Sequence, residues 1–317
     1  MGAFLSMLSS VAIFVALAIP GYLLIKTKTL KVEQSIALSK LLMWVGMPFL
    51  ILSSTLRLRF TSTLVKGMGI SFGLTIAYVA VWFFITAFLT KKEGDVKKQG
   101  MMRFCMMFSN NGFLGLPLAA AVLGEGSDAY LYLVISNVLT NLLMYTIGVY
   151  FISGDKSKMS LKKVILNPVL ISFVIGLIFN FTKVYEHVPQ ILTYSDYLKG
   201  IVTPVSMVIL GMKMASVKLT TLFTKGKIYF VSALKLIAVP VGAVSIAYFL
   251  GEWTGVGAAI AFAMLIAFGT PTAGLASTFA DAYQGDEEGA AVYTLGSTLL
   301  SVATLPVLYG VLSLIVG

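Results

Sequence analysis

The stretch SNNGFLGLP at residues 109–117 separates two apolar runs, residues 101–108 and 118–124. Together the runs are long enough for one helix across a bilayer, which takes about 20 residues. Their junction nevertheless carries two side-chain amides, two glycines and a proline, and proline removes a donor from the helical hydrogen-bond ladder. The freed backbone groups must face protein or a water-filled cavity, because lipid cannot satisfy them. The stretch therefore predicts a broken membrane-spanning helix, an arrangement from which membrane carriers build binding sites.

The composition of the 317-residue chain indicates a membrane protein with many spans. Hydrophobic residues make up 58% and charged residues 11%, with a mean hydropathy of +0.94, whereas a soluble domain carries about 25% charged residues. We predict an all-α polytopic membrane protein, multi-pass in the plasma (inner) membrane and embedded in the lipid bilayer. Its ten predicted transmembrane helices cover residues 4–25, 41–56, 67–90, 101–123, 130–152, 164–182, 198–216, 228–250, 255–280 and 289–315.

The basic residues are divided unequally between the two sides of the predicted membrane protein. Seventeen of the 23 fall in the segments 26–40, 91–103, 156–163 and 213–227, which all lie on one side. The positive-inside rule places this side in the cytoplasm and both termini outside the cytoplasm. Lys235 is assigned to neither side, because it lies inside the eighth predicted span. The other side carries Arg57, Arg59, Lys66, Lys183 and Lys199.

Two halves of the chain share features at similar offsets. The first break has a counterpart in GTPTAG at residues 269–274, inside the ninth span. The matched positions are Pro117 with Pro271, Pro48 with Pro204, and Asn137 and Asn141 with Ser297 and Ser301. Prolines are common in membrane helices, so chance is the alternative explanation. We predict two five-helix repeats, residues 1–153 and 164–317, joined by a cytoplasmic linker at residues 154–163. Since each repeat has an odd number of spans, the second is inverted relative to the first.

These motifs resemble the auxin efflux carrier family, which includes the plant PIN carriers and bacterial relatives labelled malate or malonate permeases. The resemblance rests on NNGFLGLP at residues 110–117, the Gly-Thr-Pro of the second break and the segment 283–306, and it extends over the whole chain. It implies the ten-helix fold of sodium–proton antiporters and bile-acid symporters, with broken helices 4 and 9 crossing each other. Spans 3–5 and 8–10 would form a transport domain, and spans 1, 2, 6 and 7 a scaffold that often makes a homodimer.

The chemistry of the two breaks predicts an anion site. A helix that restarts at mid-membrane presents unpaired N–H groups and a partial positive charge, and Pro117 and Pro271 suit the first position of such a helix. Several candidate residues also have a purely structural alternative to substrate binding. The alternatives are helix capping for Asn110 and Asn111, interhelical hydrogen bonds for Asn137 and Asn141, and a side chain that extends to the membrane–water interface for Lys235. The candidate substrate-binding residues are Asn110, Asn111, Gly112, Gly115, Pro117, Asn137, Asn141, Lys235, Gly269, Thr270, Pro271 and Thr272.

The predicted function is a secondary transporter of small organic anions that works by alternating access. Candidate substrates are carboxylates such as malate, malonate or auxin-like acids. No aspartate or glutamate lies inside a predicted span, whereas a cation exchanger normally needs intramembrane acids. The alternatives on the same fold are an anion-selective channel and a membrane receptor.

Other function classes are disfavoured by the residues that the chain carries. We predict no enzyme, since the sequence has no HExxH motif and no paired intramembrane aspartates. Cys105 and His187 are the chain's single cysteine and histidine, and they cannot assemble a metal site. We therefore predict no cofactor. Nucleic acid is a poor partner, because the basic residues form no cluster with interleaved aromatics.

Overall fold

The computed structural model describes residues 2–216 and 226–316, which form helices joined by short loops. Eight helices are long and apolar enough to cross a membrane, and the fourth and ninth spans each consist of two shorter helices. The bounds are α1 Gly2–Lys26, α2 Val32–Leu56, α3 Ser62–Leu89, α4a Val96–Met107, α4b Asn111–Leu123, α5 Asp128–Ser153, α6 Lys156–Phe181, α7 Gln190–Ser216, α8 Gly226–Thr254, α9a Gly257–Gly269, α9b Ala276–Tyr283 and α10 Glu287–Val316.

The predicted all-α fold with ten spans is confirmed, although α2, α6 and α7 begin earlier than their hydropathy predicted, and α6 begins inside the predicted linker. The first turns of α2 contain Ser35 and Ser39, which are buried, and the Ser39 hydroxyl donates to the Ser35 carbonyl at 2.8 Å. Such turns pack on protein, so their low hydropathy does not end the helix. Lys218 and Lys225, which were counted with the basic loops, lie outside the described residues, as do Met1 and Gly317.

Three wide, π-helical turns each end two residues before a proline. The turn Leu42–Gly46 precedes Pro48, Asn111–Gly115 precedes Pro117, and Leu234–Ala238 precedes Pro240. A proline ring clashes with the carbonyl four residues earlier, and in each case that carbonyl belongs to the wide turn. A single wide turn absorbs such a clash without ending the helix. Prolines in α2, α4b and α8 therefore reshape these spans close to the crossing of the broken helices.

Helices α1 and α7 approach each other at backbone distance. A Cβ added to Gly21 would lie 2.0 Å from the Val208 carbonyl oxygen, and one added to Gly211 would lie 1.8 Å from that of Ala18. Only glycine permits this contact. Helix α2 packs on α6 and α7, so contacts link the four helices of the predicted scaffold, with α1 joined through α7. Its separation from a transport domain and its role in a homodimer stay predictions.

Candidate anion site at the crossing of the broken helices

The two broken helices meet at short extended segments. Residues 108–110 separate α4a from α4b, and residues 270–275 separate α9a from α9b. At the crossing, Ser109 and Thr272 form an isolated antiparallel bridge. The two breaks therefore contact each other directly, as the repeat predicted.

Backbone hydrogen bonds between the breaks satisfy groups that lipid could not. The Asn110 N–H donates to the Pro271 carbonyl at 2.7 Å, and the Ala273 N–H donates to the Phe108 carbonyl at 2.9 Å. An unpaired backbone group at this depth would cost several kcal/mol. The antiparallel direction of the pairing agrees with an inverted second half.

The prediction that Pro117 and Pro271 begin the second half-helices is wrong. Helix α4b begins at Asn111, and Pro117 lies inside it behind the wide turn. The Asn110 carbonyl already accepts from the N–H groups of Leu114 and Gly115 at 3.1 and 3.0 Å. Pro271 lies in the extended segment before α9b, and proline disfavours helical backbone in the residue that precedes it. The two prolines are therefore not equivalent, and Ser109 and Thr272 are the residues that face each other.

Helices α5 and α10 each brace one break with a polar side chain. The Asn137 amide nitrogen donates to the Asn111 amide oxygen at 3.0 Å, and the Thr272 N–H donates to the Ser297 hydroxyl at 3.1 Å. The sequence matched Asn137 with Ser297 in the repeat, and the two residues hold equivalent places. Asn137 therefore makes an interhelical hydrogen bond, which was the structural alternative to substrate binding. The Asn141 side-chain amide donates to the Asn137 backbone carbonyl at 2.9 Å within α5.

Several buried polar atoms at the crossing have no hydrogen-bond partner within the described chain. They are the amide nitrogen of Asn111, the amide oxygen of Asn137 and the hydroxyl of Thr270. Leaving a buried donor or acceptor unpaired costs about 1–3 kcal/mol. A bound water or a polar ligand can satisfy such atoms.

A cavity of about 30 Å³ lies beside the first break, which is room for a water molecule or two. Asn110 lines it, and its side-chain amide forms no hydrogen bond with the residues that the structure describes. Neither Asn110 nor Asn111 caps α4a or α4b through its side chain, so the capping alternative is wrong. The lining residues are Met43, Met47, Ser109, Asn110, Asn111, Gly112, Phe113, Asn141, Met144, Val169, Ala273, Gly274 and Leu275.

Lys235 lies on the other side of the bridge and is fully buried. Its ammonium donates to the Phe268 carbonyl at 2.9 Å and to the Ser109 hydroxyl. Phe268 belongs to the last turn of α9a, and the wide turn of α8 aims the lysine at this helix end. The alternative that Lys235 extends to the interface is therefore wrong. Instead, its charge faces the partial negative charge of a helix C-terminus.

Eight predicted site residues pack at the crossing without lining the cavity. The Thr272 hydroxyl is already used within the protein, because it donates to the Cys105 carbonyl at 3.0 Å. A Cβ on Gly115 would meet side-chain carbons of Asn111, Ile266 and Thr270 at 3.4–3.5 Å, so α4b and α9a are in close contact. The eight residues are Gly115, Pro117, Asn137, Lys235, Gly269, Thr270, Pro271 and Thr272.

Sequence reasoning missed two contacts between α7 and the breaks. Lys213 was counted as a loop residue, but it lies in the last turn of α7 and donates to the Gly274 carbonyl at 2.9 Å. The Ser206 hydroxyl donates to the Phe113 carbonyl at 3.0 Å. The available signal was the position of Lys213 between two methionines, still within an apolar run.

Two of the larger cavities lie on opposite faces of the protein. One, of about 280 Å³, lies between α2, α7, α9b and α10 on the face that carries the basic loops, and Lys213 lines it. We call this face the lysine-rich face. The other, of about 500 Å³, lies on the opposite face and includes Arg57, Glu125 and Tyr185. Neither described lining contains a residue of the breaks themselves, but Lys213 links the cavity of the lysine-rich face to the second break through its hydrogen bond to the Gly274 carbonyl.

Comparisons with known proteins agree with this architecture. The chain belongs to the family described as "Membrane transport protein", the auxin efflux carrier family, whose model matches residues 6–160 and 155–309. The two matches cover the two halves of the chain. A protein of Methanothermobacter thermautotrophicus, described as an uncharacterized transporter, is 25% identical over 317 residues, which cover 96% of this chain and 97% of the relative. The chain is a multi-pass membrane transporter.

Proposed function

We propose that this transporter carries small organic anions and binds a carboxylate group at the crossing, next to the start of α4b. The observation that carries the proposal is the pair of amides at that point. Asn110 faces the cavity with an unused side-chain amide, and the buried amide nitrogen of Asn111 has no partner in the described chain. Carboxylates such as malate, malonate or auxin-like acids supply the acceptor oxygens that these donors lack.

The electrostatics of the crossing favour an anion without a fixed partner charge. Helix α4b begins at the cavity, so the partial positive charge of its N-terminus faces the cavity. No carboxylate lines the described cavity, and Lys235 places a positive charge behind Ser109. A helix N-terminus with nearby amide donors binds anions by hydrogen bonding and by its dipole together. A cation at the same place would find amide oxygens but no carboxylate of the described lining to balance its charge.

Alternating access is the proposed transport cycle. The cavity on the lysine-rich face extends to Lys213 beside the second break, whereas the Lys199 ammonium and the Glu125 carboxylate form an ion pair at 2.8 Å on the opposite face. We infer that this conformation opens towards the lysine-rich face, which the positive-inside rule makes cytoplasmic, with both termini outside. The crossing cavity of about 30 Å³ favours a carrier over the channel alternative, because a channel needs a continuous pore.

Uptake of radiolabelled carboxylates into proteoliposomes tests the proposal. We expect saturable uptake of at least one acid, counterflow, and a raised melting temperature of the purified protein in its presence. Asn110→Ala should remove both effects, whereas Gln190→Ala, which removes an exposed amide at the start of α7, should keep them. Binding without flux would favour the receptor alternative. Equal binding by the Asn110→Ala variant would refute the site.

A further inference from the structure

Gly274 lines the crossing cavity and also contacts Lys213. The Lys213 ammonium donates to the Gly274 carbonyl at 2.9 Å. On its other side, a Cβ added to Gly274 would lie 3.6 Å from both the amide nitrogen and the amide oxygen of Asn110. A half-buried cation and an unused amide therefore both lie next to Gly274. The Phe113 ring also contacts this point, at 3.5 Å from the same Cβ position.

Lys213 is poorly satisfied for an ammonium group at this depth. It has three donors, but Gly274 supplies the one hydrogen bond that its ammonium makes within the described chain. It forms no ion pair with the residues that the structure describes. Charged groups within membrane spans are costly and normally find a partner. The remaining N–H donors of the Lys213 ammonium are available for an acidic group that enters the cavity of the lysine-rich face.

In the cavity of the lysine-rich face, acidic and basic side chains lie at different depths. Glu33, Asp281 and Glu287 also line it, and all three are exposed to solvent at its mouth. Water and salt screen such charges. Lys213 is the basic residue of the described lining, and it is largely covered by protein. Within the described lining, an anion that passes the mouth therefore meets a positive charge at the inner end, next to the second break.

We propose that Lys213 selects dicarboxylates by binding the second carboxylate of a substrate whose first carboxylate is held at Asn110 and Asn111. The proposal rests on the proposed function, since it needs an anion at the crossing. Lys213 would exchange the Gly274 carbonyl for the substrate oxygen as the substrate binds. A monocarboxylate would leave Lys213 on Gly274 and would gain nothing from it.

Uptake of malonate and succinate, compared with propionate, tests this in proteoliposomes with protein-free vesicles as background. We expect Lys213→Met to lower uptake of both dicarboxylates at least tenfold at subsaturating concentration and to change propionate uptake less than twofold. Lys213→Arg should retain most dicarboxylate uptake, since it keeps the charge. The control is Lys40→Met, which removes an exposed lysine on the same face. Lys213→Gln and the melting temperature of each variant separate misfolding from lost selectivity.

The outcomes distinguish this inference from the proposed function. If Lys213→Met and Lys213→Gln lower propionate and malonate uptake equally, or leave malonate uptake unchanged, Lys213 does not select a second carboxylate. Uptake of propionate but of neither dicarboxylate by the unaltered protein overturns the inference and leaves the proposed function standing. Uptake of none of the three acids, nor of malate or an auxin-like acid, with no shift in melting temperature, overturns both.

Discussion

The Lys235 ammonium donates a hydrogen bond to the Phe268 carbonyl at 2.9 Å in the last turn of α9a. The last four carbonyls of a helix lack intrahelical partners, and in lipid they cannot find water. Lys235 supplies a donor and a positive charge at this end, and its bond to Ser109 joins it to the other break. One side chain of α8 thus holds together both broken helices.

Replacement of Lys235 tests whether this charge is needed for transport. We expect Lys235→Ala to abolish carboxylate uptake and to lower the melting temperature, because the Phe268 carbonyl loses its partner. Lys235→Arg should keep part of the uptake, since it keeps the charge. Lys66→Ala is the matched control, because the Lys66 ammonium also donates to a helix-end carbonyl, that of Thr254 at 2.9 Å, but at the exposed end of α8. Normal uptake by the Lys235→Ala variant would contradict the prediction.

The hydrogen bond from Asn137 to Asn111 gives a second prediction. Asn137→Ala leaves the buried amide oxygen of Asn111 without a donor, and we expect the free energy of unfolding to fall by about 1–3 kcal/mol. In the double variant with Asn111→Ala both partners are absent, so the loss should be smaller than the sum of the single losses. Denaturant unfolding in detergent measures all three variants. Strictly additive losses would show that the two amides do not interact.

The spans and the position of the first break could be predicted because both depend on local chemistry. A run of apolar residues predicts a span, and two amides, two glycines and a proline interrupt it at residues 109–117. What each proline does could not be predicted in the same way. Pro117 reshapes a helix that continues, whereas Pro271 lies in extended backbone, and the difference depends on the contacts of each break.

The placement of Lys235 and Lys213 shows a second limit of prediction from the sequence. Lys235 was singled out because it stands well inside an apolar segment. Lys213 stands near the end of one, where most lysines reach the interface. Its contact with Gly274 exists because α7 packs beside the second break, and that tertiary arrangement is not contained in a hydropathy pattern. The wide turn before Pro240, in contrast, had a local signal in the proline itself.

The close packing of α1 on α7 gives a stability prediction. Gly211→Ala would place a methyl group 1.8 Å from the Ala18 carbonyl oxygen, so the helices must separate. We expect a loss of about 1–3 kcal/mol in the free energy of unfolding, the usual cost of overpacking. Gly69→Ala in α3 is the control, because its new Cβ would meet nothing within 4 Å. This control should be neutral or gain about 0.5–1 kcal/mol from better helix propensity. Equal stability of the two variants would contradict the packing.

The ion pair between Lys199 and Glu125 predicts where the transporter must open during its cycle. Lys199 belongs to α7 of the predicted scaffold, and Glu125 lies in the loop between α4b and α5 of the predicted transport domain. Their side chains are 15% and 37% exposed, so their attraction is partly screened and worth about 1 kcal/mol or less. An interaction of this strength can close one face and still separate once in every turnover.

Cysteines at these two positions test the opening directly. Cys105 is the chain's single natural cysteine and is buried, so it should not react. A short bis-methanethiosulfonate cross-linker between Lys199→Cys and Glu125→Cys should stop uptake, and a reductant should restore it, because the cross-link holds the face shut. Each single-cysteine variant, treated in the same way, should keep its uptake. Undiminished uptake by a fully cross-linked protein would mean that substrate does not pass between α7 and the α4b–α5 loop.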